Sequence, residues 1–130
     1  RIKMNRRVFL AVVAVLALPL PAQSTELTPF SADAFEKAQA EGRPILVHVT
    51  APWCGTCRAQ KRVLPDLLAS PELAGMLWLD VDFDTQPDIR RVFDVQHQST
   101  MVVFKGSKEV ARAVGETRPD ALRELLSMAL

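Results

Sequence analysis

The apolar positions between residues 31 and 130 follow a strand-like period in some stretches and a helical period in others. Short apolar, β-branched or alternating runs predict four strands. These lie at residues 45–50, 76–83, 101–105 and 109–114. The last two flank Gly106-Ser107, a turn pair that predicts an antiparallel hairpin.

Helical stretches separate these strands, and most carry start or stop signals. Ser31 is a candidate N-cap and Gly42 a stop for the first helix, while Pro65 is expected to kink or end the second. Thr117 and Asp120 form a candidate capping box for the last helix. The predicted helices cover residues 32–41, 54–64, 66–75, 87–92 and about 118–129.

The resulting order is helix, strand, helix, strand, helix, hairpin, helix. Because a strand–helix–strand crossover is parallel whereas the hairpin is antiparallel, we predict an α/β fold with a central mixed sheet and helices on both faces. The turn after residue 50 then lies at the carboxyl end of its strand, where open α/β sheets place their functional sites.

The N-terminus has the three-part pattern of a secretory signal. Lys3, Arg6 and Arg7 precede an uncharged apolar run over residues 8–18, and a Pro-rich segment ends at Ala22. We therefore expect residues 1–22 to be a signal peptide, with residues 1–3 an upstream extension, and residues 23–130 to be one domain. An uncleaved membrane anchor is the alternative, although the run is short of the roughly 20 residues that span a bilayer.

Composition and charge exclude one class of partner. With 48% hydrophobic and 24% charged residues the chain is ordinary for a globular domain. Loss of residues 1–22 removes four basic residues and no acid, which changes the formal net charge from +1 to −3. We therefore expect no nucleic-acid partner.

The only two cysteines, Cys54 and Cys57, lie where the first predicted strand passes into a helix. The positive N-terminal end of a helix favours the thiolate, which is the nucleophile of thiol–disulfide exchange. The second thiol, one turn along, can then resolve a mixed disulfide. In an exported, oxidising compartment such a pair is either a redox centre or a structural loop.

The segment Trp53-Cys54-Gly55-Thr56-Cys57 resembles the active-site motif of the thioredoxin family. Residues 82–87, Phe104-Lys105-Gly106 and Val114-Gly115 resemble later landmarks of that family at matching spacing. The resemblance covers about residues 30–130 and implies the thioredoxin fold. It implies that Cys54 is the nucleophile and Cys57 the resolving thiol, without a bound cofactor or metal. It also implies a groove that holds the client's backbone, formed by Trp53, Gly55, Thr56, Gln98, Ser99, Thr100, Val114 and Gly115.

Three positions depart from the family pattern. His48 stands where the family has a buried aspartate, and Asp80 where it has the partner lysine. We hypothesise that His48 accepts the proton of Cys57, since an imidazole titrating near neutrality suits that role. Asp80 would then orient the His48 ring or favour its charged form. Ser99 replaces a cis-proline, and we predict a trans Gln98–Ser99 bond because a cis bond before a non-proline residue is costly. Thr56 replaces the histidine of strongly oxidising relatives, which favours a reductase.

Taken together, these features predict an exported thiol–disulfide oxidoreductase, periplasmic or secreted, that reduces protein clients. Its electrons would come from a membrane-embedded thiol transporter, and we expect a monomer. Three alternatives remain open at this point. They are a disulfide-forming oxidase, a copper- or zinc-handling protein that uses the two cysteines with His48 or His97, and a binding module with a structural disulfide.

Overall fold

A computed structural model describes residues 16–18 and 26–130 of the chain. Most of the predicted signal peptide, 1–22, therefore lies outside the described residues. Nine elements follow one another along the described part. They are β1 (Thr28–Pro29), α1 (Ala32–Ala40), β2 (Pro44–Thr50), α2 (Gly55–Leu68), β3 (Leu77–Asp82), α3 (Pro87–Val92), β4 (Thr100–Lys105), β5 (Lys108–Val114) and α4 (Pro119–Ser127).

The five strands form one mixed sheet in the order β1-β3-β2-β4-β5. β3 pairs in parallel with both β1 and β2, as expected for a crossover through α2. β4 pairs antiparallel with β2 and with β5, and these last two strands form the predicted hairpin. The mixed sheet predicted from the sequence is confirmed.

Alternate residues of the strands supply two hydrophobic cores, one on each face of the sheet. On β2, Leu46 faces the core that α2 and α4 cover, whereas Val47 faces the core that α1 and α3 cover. All of β2 from Ile45 to Thr50 is buried, which fits its position at the centre of the sheet. The helices on both faces are thus confirmed. Packing on both faces of β2 fixes the position of its carboxyl end.

The structure corrects the sequence analysis at Pro65. α2 continues through this residue to Leu68, and no separate helix covers residues 66–75. Pro65 is exposed, while Leu64, Leu67 and Leu68 are buried in the core. Burial of these leucines stabilises the extra turn by more than the hydrogen bond that proline cannot donate.

Both ends of the last predicted helix also change. Thr117 does not cap α4, because the N-cap is Arg118 and the Thr117 amide donates to the Glu116 carboxylate. The helix ends at Ser127 rather than at residue 129. The two-residue β1 was missed because it is too short to show a period. Among the residues described, no helix has the length and apolar character needed to cross a membrane.

Candidate active site

The two cysteines form a disulfide at the junction of β2 and α2. Cys54 is the N-cap of α2, and its Sγ accepts a hydrogen bond from the Cys57 amide at 3.1 Å. Cys54 is 4% exposed and Cys57 1% exposed, so the pair meets solvent mainly through the first cysteine. The N-terminal amides and dipole of a 14-residue helix thus face the Cys54 sulfur, which favours its thiolate after reduction.

Trp53 forms a fixed aromatic wall beside the disulfide. Its side chain is 58% exposed, yet its Nε1 donates to Asp84 Oδ2 at 2.8 Å and its ring packs against Phe83 in a T-shaped contact. An exposed indole held at both ends loses little conformational entropy when it contacts a client. This placement fits the groove role that the family resemblance implies for Trp53.

Two loops border the same edge of the sheet. The β4 residue Thr100 lies opposite Val49 of β2 and opposite Val114 of β5. The Gly115 amide donates to the Ser99 carbonyl at 2.9 Å, which ties the loop before β4 to the end of β5. The predicted groove positions from Gln98 to Thr100 and at Val114 and Gly115 are therefore brought together at the carboxyl end of β2.

Ser99 has an unusual backbone in the first of these loops. Its φ is +56°, although it is not glycine, and it is 5% exposed. Its hydroxyl donates to the carbonyl of Gln98 at 2.6 Å. Within residues 26–130 no peptide bond is cis, so the predicted trans Gln98–Ser99 bond is confirmed. A left-handed serine persists only where its surroundings hold it.

His48 is fully buried beneath α2, with both ring nitrogens occupied. Nε2 lies 2.7 Å from Gln60 Oε1, and Nδ1 accepts from the indole Nε1 of Trp78 at 3.3 Å. Because an indole can only donate, Nδ1 must be unprotonated and the hydrogen must be on Nε2.

Burial lowers the pKa of His48 to about 4, against the hydrogen bond to Gln60 and the charge of Asp80, both of which raise it. The expectation of an imidazole that titrates near neutrality is therefore wrong, because the cationic form is disfavoured in the core. Proton transfer from Cys57 to His48 remains a hypothesis, and it requires Trp78 to release Nδ1.

Asp80 is the neighbour of His48 in the register of β2 and β3. Its Oδ1 accepts from the Thr50 hydroxyl at 2.6 Å and lies 3.6 Å from Lys61 Nζ. The hydrogen bonds of His48 go to Gln60 and Trp78, so Asp80 acts on the imidazole through its charge alone. Of the two roles suggested from the sequence, the orienting one belongs to Gln60 and Trp78.

Gln60 is the main site residue that the sequence analysis missed. It is fully buried in α2, and its side chain reaches His48 together with the carbonyls of Ser99 and Glu116. The signal was present in the sequence, because Gln60 follows Cys57 by three residues and precedes Leu64 by four. A glutamine on that apolar stripe must find partners inside the protein.

Metal ligands are sparse around the pair. Across the part of the chain that is described, no group of three or more His, Cys, Asp or Glu side chains could hold a metal ion. His97 is exposed, and His48 is engaged by Gln60 and Trp78. The site is arranged for exchange between sulfur atoms, which needs only a nucleophilic thiolate, a resolving thiol and access for a second disulfide.

Comparison with known proteins agrees with this chemistry. The Thioredoxin family model matches residues 26–128. A thioredoxin of Chlamydia muridarum is 38% identical over 97 residues, which is 75% of this chain and 92% of that protein. The bifunctional thioredoxin reductase/thioredoxin of Mycobacterium leprae is 34% identical over 93 residues, which is 72% of this chain and 20% of that protein.

Among solved structures, Trxlp from Edwardsiella tarda EIB202 superimposes with a TM-score of 0.76 at 41% identity, over 78% of this chain and 99% of that one. Thioredoxin from Fasciola hepatica superimposes with a TM-score of 0.67 at 27% identity, over 81% and 99% respectively. The chain belongs to the thioredoxin family, and it is a thiol–disulfide oxidoreductase whose redox-active pair is Cys54 and Cys57.

Proposed function

We propose that the protein reduces disulfides of client proteins, with Cys54 as the nucleophile. The observation that carries this proposal is the N-cap position of Cys54, whose Sγ accepts the Cys57 amide hydrogen. The Cys54 thiolate attacks a client disulfide, forms a mixed disulfide and releases one client thiolate. Cys57 then loses its proton and attacks Cys54, which releases the second client thiolate. The client gains two electrons, and the Cys54–Cys57 pair loses two.

The electrostatics near Cys54 favour this direction of electron flow. Gly55 and Thr56 bring no charge to the dipeptide between the cysteines. Of the nearby cations, Arg58 donates to the Pro52 carbonyl at 3.0 Å and Lys61 pairs with Asp80. Arg58 keeps its charge in this bond, but the dipeptide itself carries no cation. The thiolate is therefore stabilised mainly by the helix end, without the charged dipeptide that makes a dithiol a good leaving pair and an oxidant.

The decisive measurement is the reduction potential of the Cys54–Cys57 pair, equilibrated with glutathione and with dithiothreitol. We expect a value at or below about −230 mV, in the range of thioredoxin and the more reducing glutaredoxins. A value near about −120 mV would identify an oxidant of folding clients instead.

A Thr56→His variant calibrates this measurement, because a cation beside Cys54 favours its thiolate. The potential should rise by about 30 mV for each tenfold gain in thiolate stability. An unchanged potential would mean that the dipeptide does not tune the pair, and the electrostatic argument for a reductase would fail.

We also propose that the domain works after export, as a monomer whose electrons come from a membrane-embedded thiol transporter. The support is the basic, apolar and Pro/Ala-ended pattern of residues 3–22, since cytosolic reductases do not reach an exported thiol. Expression in a bacterium followed by fractionation and N-terminal sequencing tests it. A mature N-terminus at Gln23 in the periplasmic fraction is expected, whereas an uncleaved chain in the membrane fraction would indicate an anchor.

A further inference from the structure

We propose that Gln60 is a positioning residue for client recognition, which holds both groove loops in register with the redox helix. This inference rests on the proposed exchange with protein clients and adds a specificity element to it. Gln60 lies on the same face of α2 as Cys57, one turn further along. Its side chain contacts His48 of β2 on one side and the loops that contain Ser99 and Glu116 on the other.

Every hydrogen-bonding group of this buried amide is used. The Nε2 group donates to the Ser99 carbonyl at 3.1 Å and to the Glu116 carbonyl at 2.9 Å. The Oε1 atom lies 2.7 Å from His48 Nε2. Two loops that are far apart in the sequence, before β4 and after β5, are therefore fastened to one side chain of the helix that carries both cysteines.

The direction of these hydrogen bonds is fixed by the residues at either end. Trp78 can only donate to His48 Nδ1, so His48 carries its hydrogen on Nε2 and donates it to Gln60 Oε1. The carbonyls of Ser99 and Glu116 can only accept, so the Gln60 Nε2 group faces them. Each hydrogen bond from Trp78 to the loops therefore joins a donor to an acceptor. If the Gln60 amide were rotated by 180°, its oxygen would face the two carbonyl oxygens, and no hydrogen bond could form there.

The loops need this support because both contact points lie just outside the paired strands β4 and β5, where one backbone bond, from the Gly115 amide to the Ser99 carbonyl, joins them. Ser99 adopts its left-handed backbone where the Gln60 and Gly115 donors meet its carbonyl. Glu116 accepts from Gln60 with its carbonyl while its carboxylate binds Arg118. Loss of the Gln60 donors would leave the buried Ser99 carbonyl with one donor fewer and the part-buried Glu116 carbonyl without this donor. The two loops could then move relative to Cys54.

This arrangement makes a selective prediction. A client that lays its backbone along the loops depends on their position, whereas a small disulfide needs only the Cys54 sulfur. In Gln60→Met, kcat/KM for the reduction of insulin disulfides should fall about tenfold, mainly through KM, because two hydrogen bonds to the loops are lost. The second-order rate with 5,5′-dithiobis(2-nitrobenzoate) should stay within about twofold, since that probe makes no loop contact.

Two matched variants separate positioning from simple destabilisation. Gln60→Glu keeps an acceptor for His48 but places a carboxylate against the two carbonyls, so it should lose insulin reduction at least as strongly as Gln60→Met. Arg62→Met changes an exposed side chain of the same helix and should leave the ratio of the two rates unchanged. Equal losses on insulin and on the small disulfide, or no loss on either, would overturn the proposal.

A second measurement keeps Gln60 in place and therefore tests the proposal even if the Gln60 variants do not fold. In Cys57→Ser, which cannot resolve a mixed disulfide, the Gln60 side-chain amide protons should exchange slowly with solvent. They should also shift in nuclear magnetic resonance spectra when an insulin-derived peptide is disulfide-linked to Cys54. Unshifted signals would contradict the proposal. If the pair proves to be an oxidant, the rate with reduced insulin chains is compared with the rate with a small thiol. Failure of the reductase assignment is then distinguishable from failure of this inference.

Discussion

The indole of Trp78 donates its Nε1 hydrogen to Nδ1 of His48 at 3.3 Å. This bond, between neighbouring strands of the sheet, fixes the neutral tautomer of the one ionisable ring beneath the redox helix. It also occupies the only nitrogen that could accept a proton. The chemical character of His48 is therefore set by a tryptophan from the next strand and by Gln60 from the helix above.

Replacing Trp78 with phenylalanine should raise the pKa of His48 above its value of about 4. The donor to Nδ1 stabilises the neutral ring, and its loss frees a lone pair for a proton, so we expect a rise of about one unit. Nuclear magnetic resonance titration of the ring protons measures this, with the exposed His97 as an internal comparison. A pKa that stays the same or falls would show that Trp78 does not stabilise the neutral form.

The burial of His48 should make the stability of the protein depend on pH. The unfolded ring titrates near 6.5 and the folded ring near 4, so the unfolded state binds more protons between these values. The free energy of unfolding should therefore fall by about 2 kcal/mol from pH 7 to pH 5 because of this residue. Urea unfolding at both pH values measures it.

The control for that measurement is His48→Gln, which cannot titrate. Asp82 and Glu116 also have lowered pKa values, but their contributions are lost as pH falls below their usual range near 4, outside the window used. An equal slope in wild type and in His48→Gln would contradict the prediction.

His48→Gln also tests whether His48 accepts the proton of Cys57. Since both ring nitrogens already have partners, we expect the pH dependence of the resolving step to be the same in the variant and in wild type. Stopped-flow measurement of product release from a preformed mixed disulfide gives this rate. If the pH profile of the variant lacks one ionisation that the wild type shows, His48 does accept the proton of Cys57, as the sequence suggested.

Neutralising Asp80 should lower the pKa of His48 further. The carboxylate raises that pKa through its charge, and in Asp80→Asn the opposing charge of Lys61 would act alone. The shift should be small, because both side chains are partly exposed and solvent screens them. Titration of the His48 ring in Asp80→Asn and in Asp80→Asn/Lys61→Met measures it. The double variant should recover part of the shift, and a rise in the single variant would contradict the argument.

The two cysteines should behave differently when each is replaced by serine. Cys57→Ser keeps the nucleophile at the N-cap but cannot resolve, so it should accumulate a mixed disulfide with a client. Cys54→Ser leaves only the deeper thiol, which is 1% exposed, and should form little or none. Non-reducing electrophoresis after incubation with oxidised insulin separates the species. Equal trapping by both variants would reverse or remove the assigned roles.

Local sequence pattern was sufficient for most of the fold. The apolar run at residues 45–50 and the Gly106-Ser107 turn each define an element through neighbours within a few residues. The position of Cys54 and Cys57 between a strand and a helix followed from the same local pattern. β1 escaped detection because two exposed residues show no period, whereas α2 ran past Pro65 because core packing outweighed the local signal of the proline.

The sequence by itself determined the redox pair, its place at a helix N-terminus and the mixed sheet, since each depends on residues close together in the chain. Only the tertiary structure decided what lies under that pair. Gln60 lies in α2, Trp78 in β3 and Ser99 in the loop before β4. Their hydrogen bonds to and around His48 depend on strand register and on how α2 packs on the sheet. No local period encodes those distances. A buried polar side chain must find a partner, but which partner it finds is settled only when the elements pack.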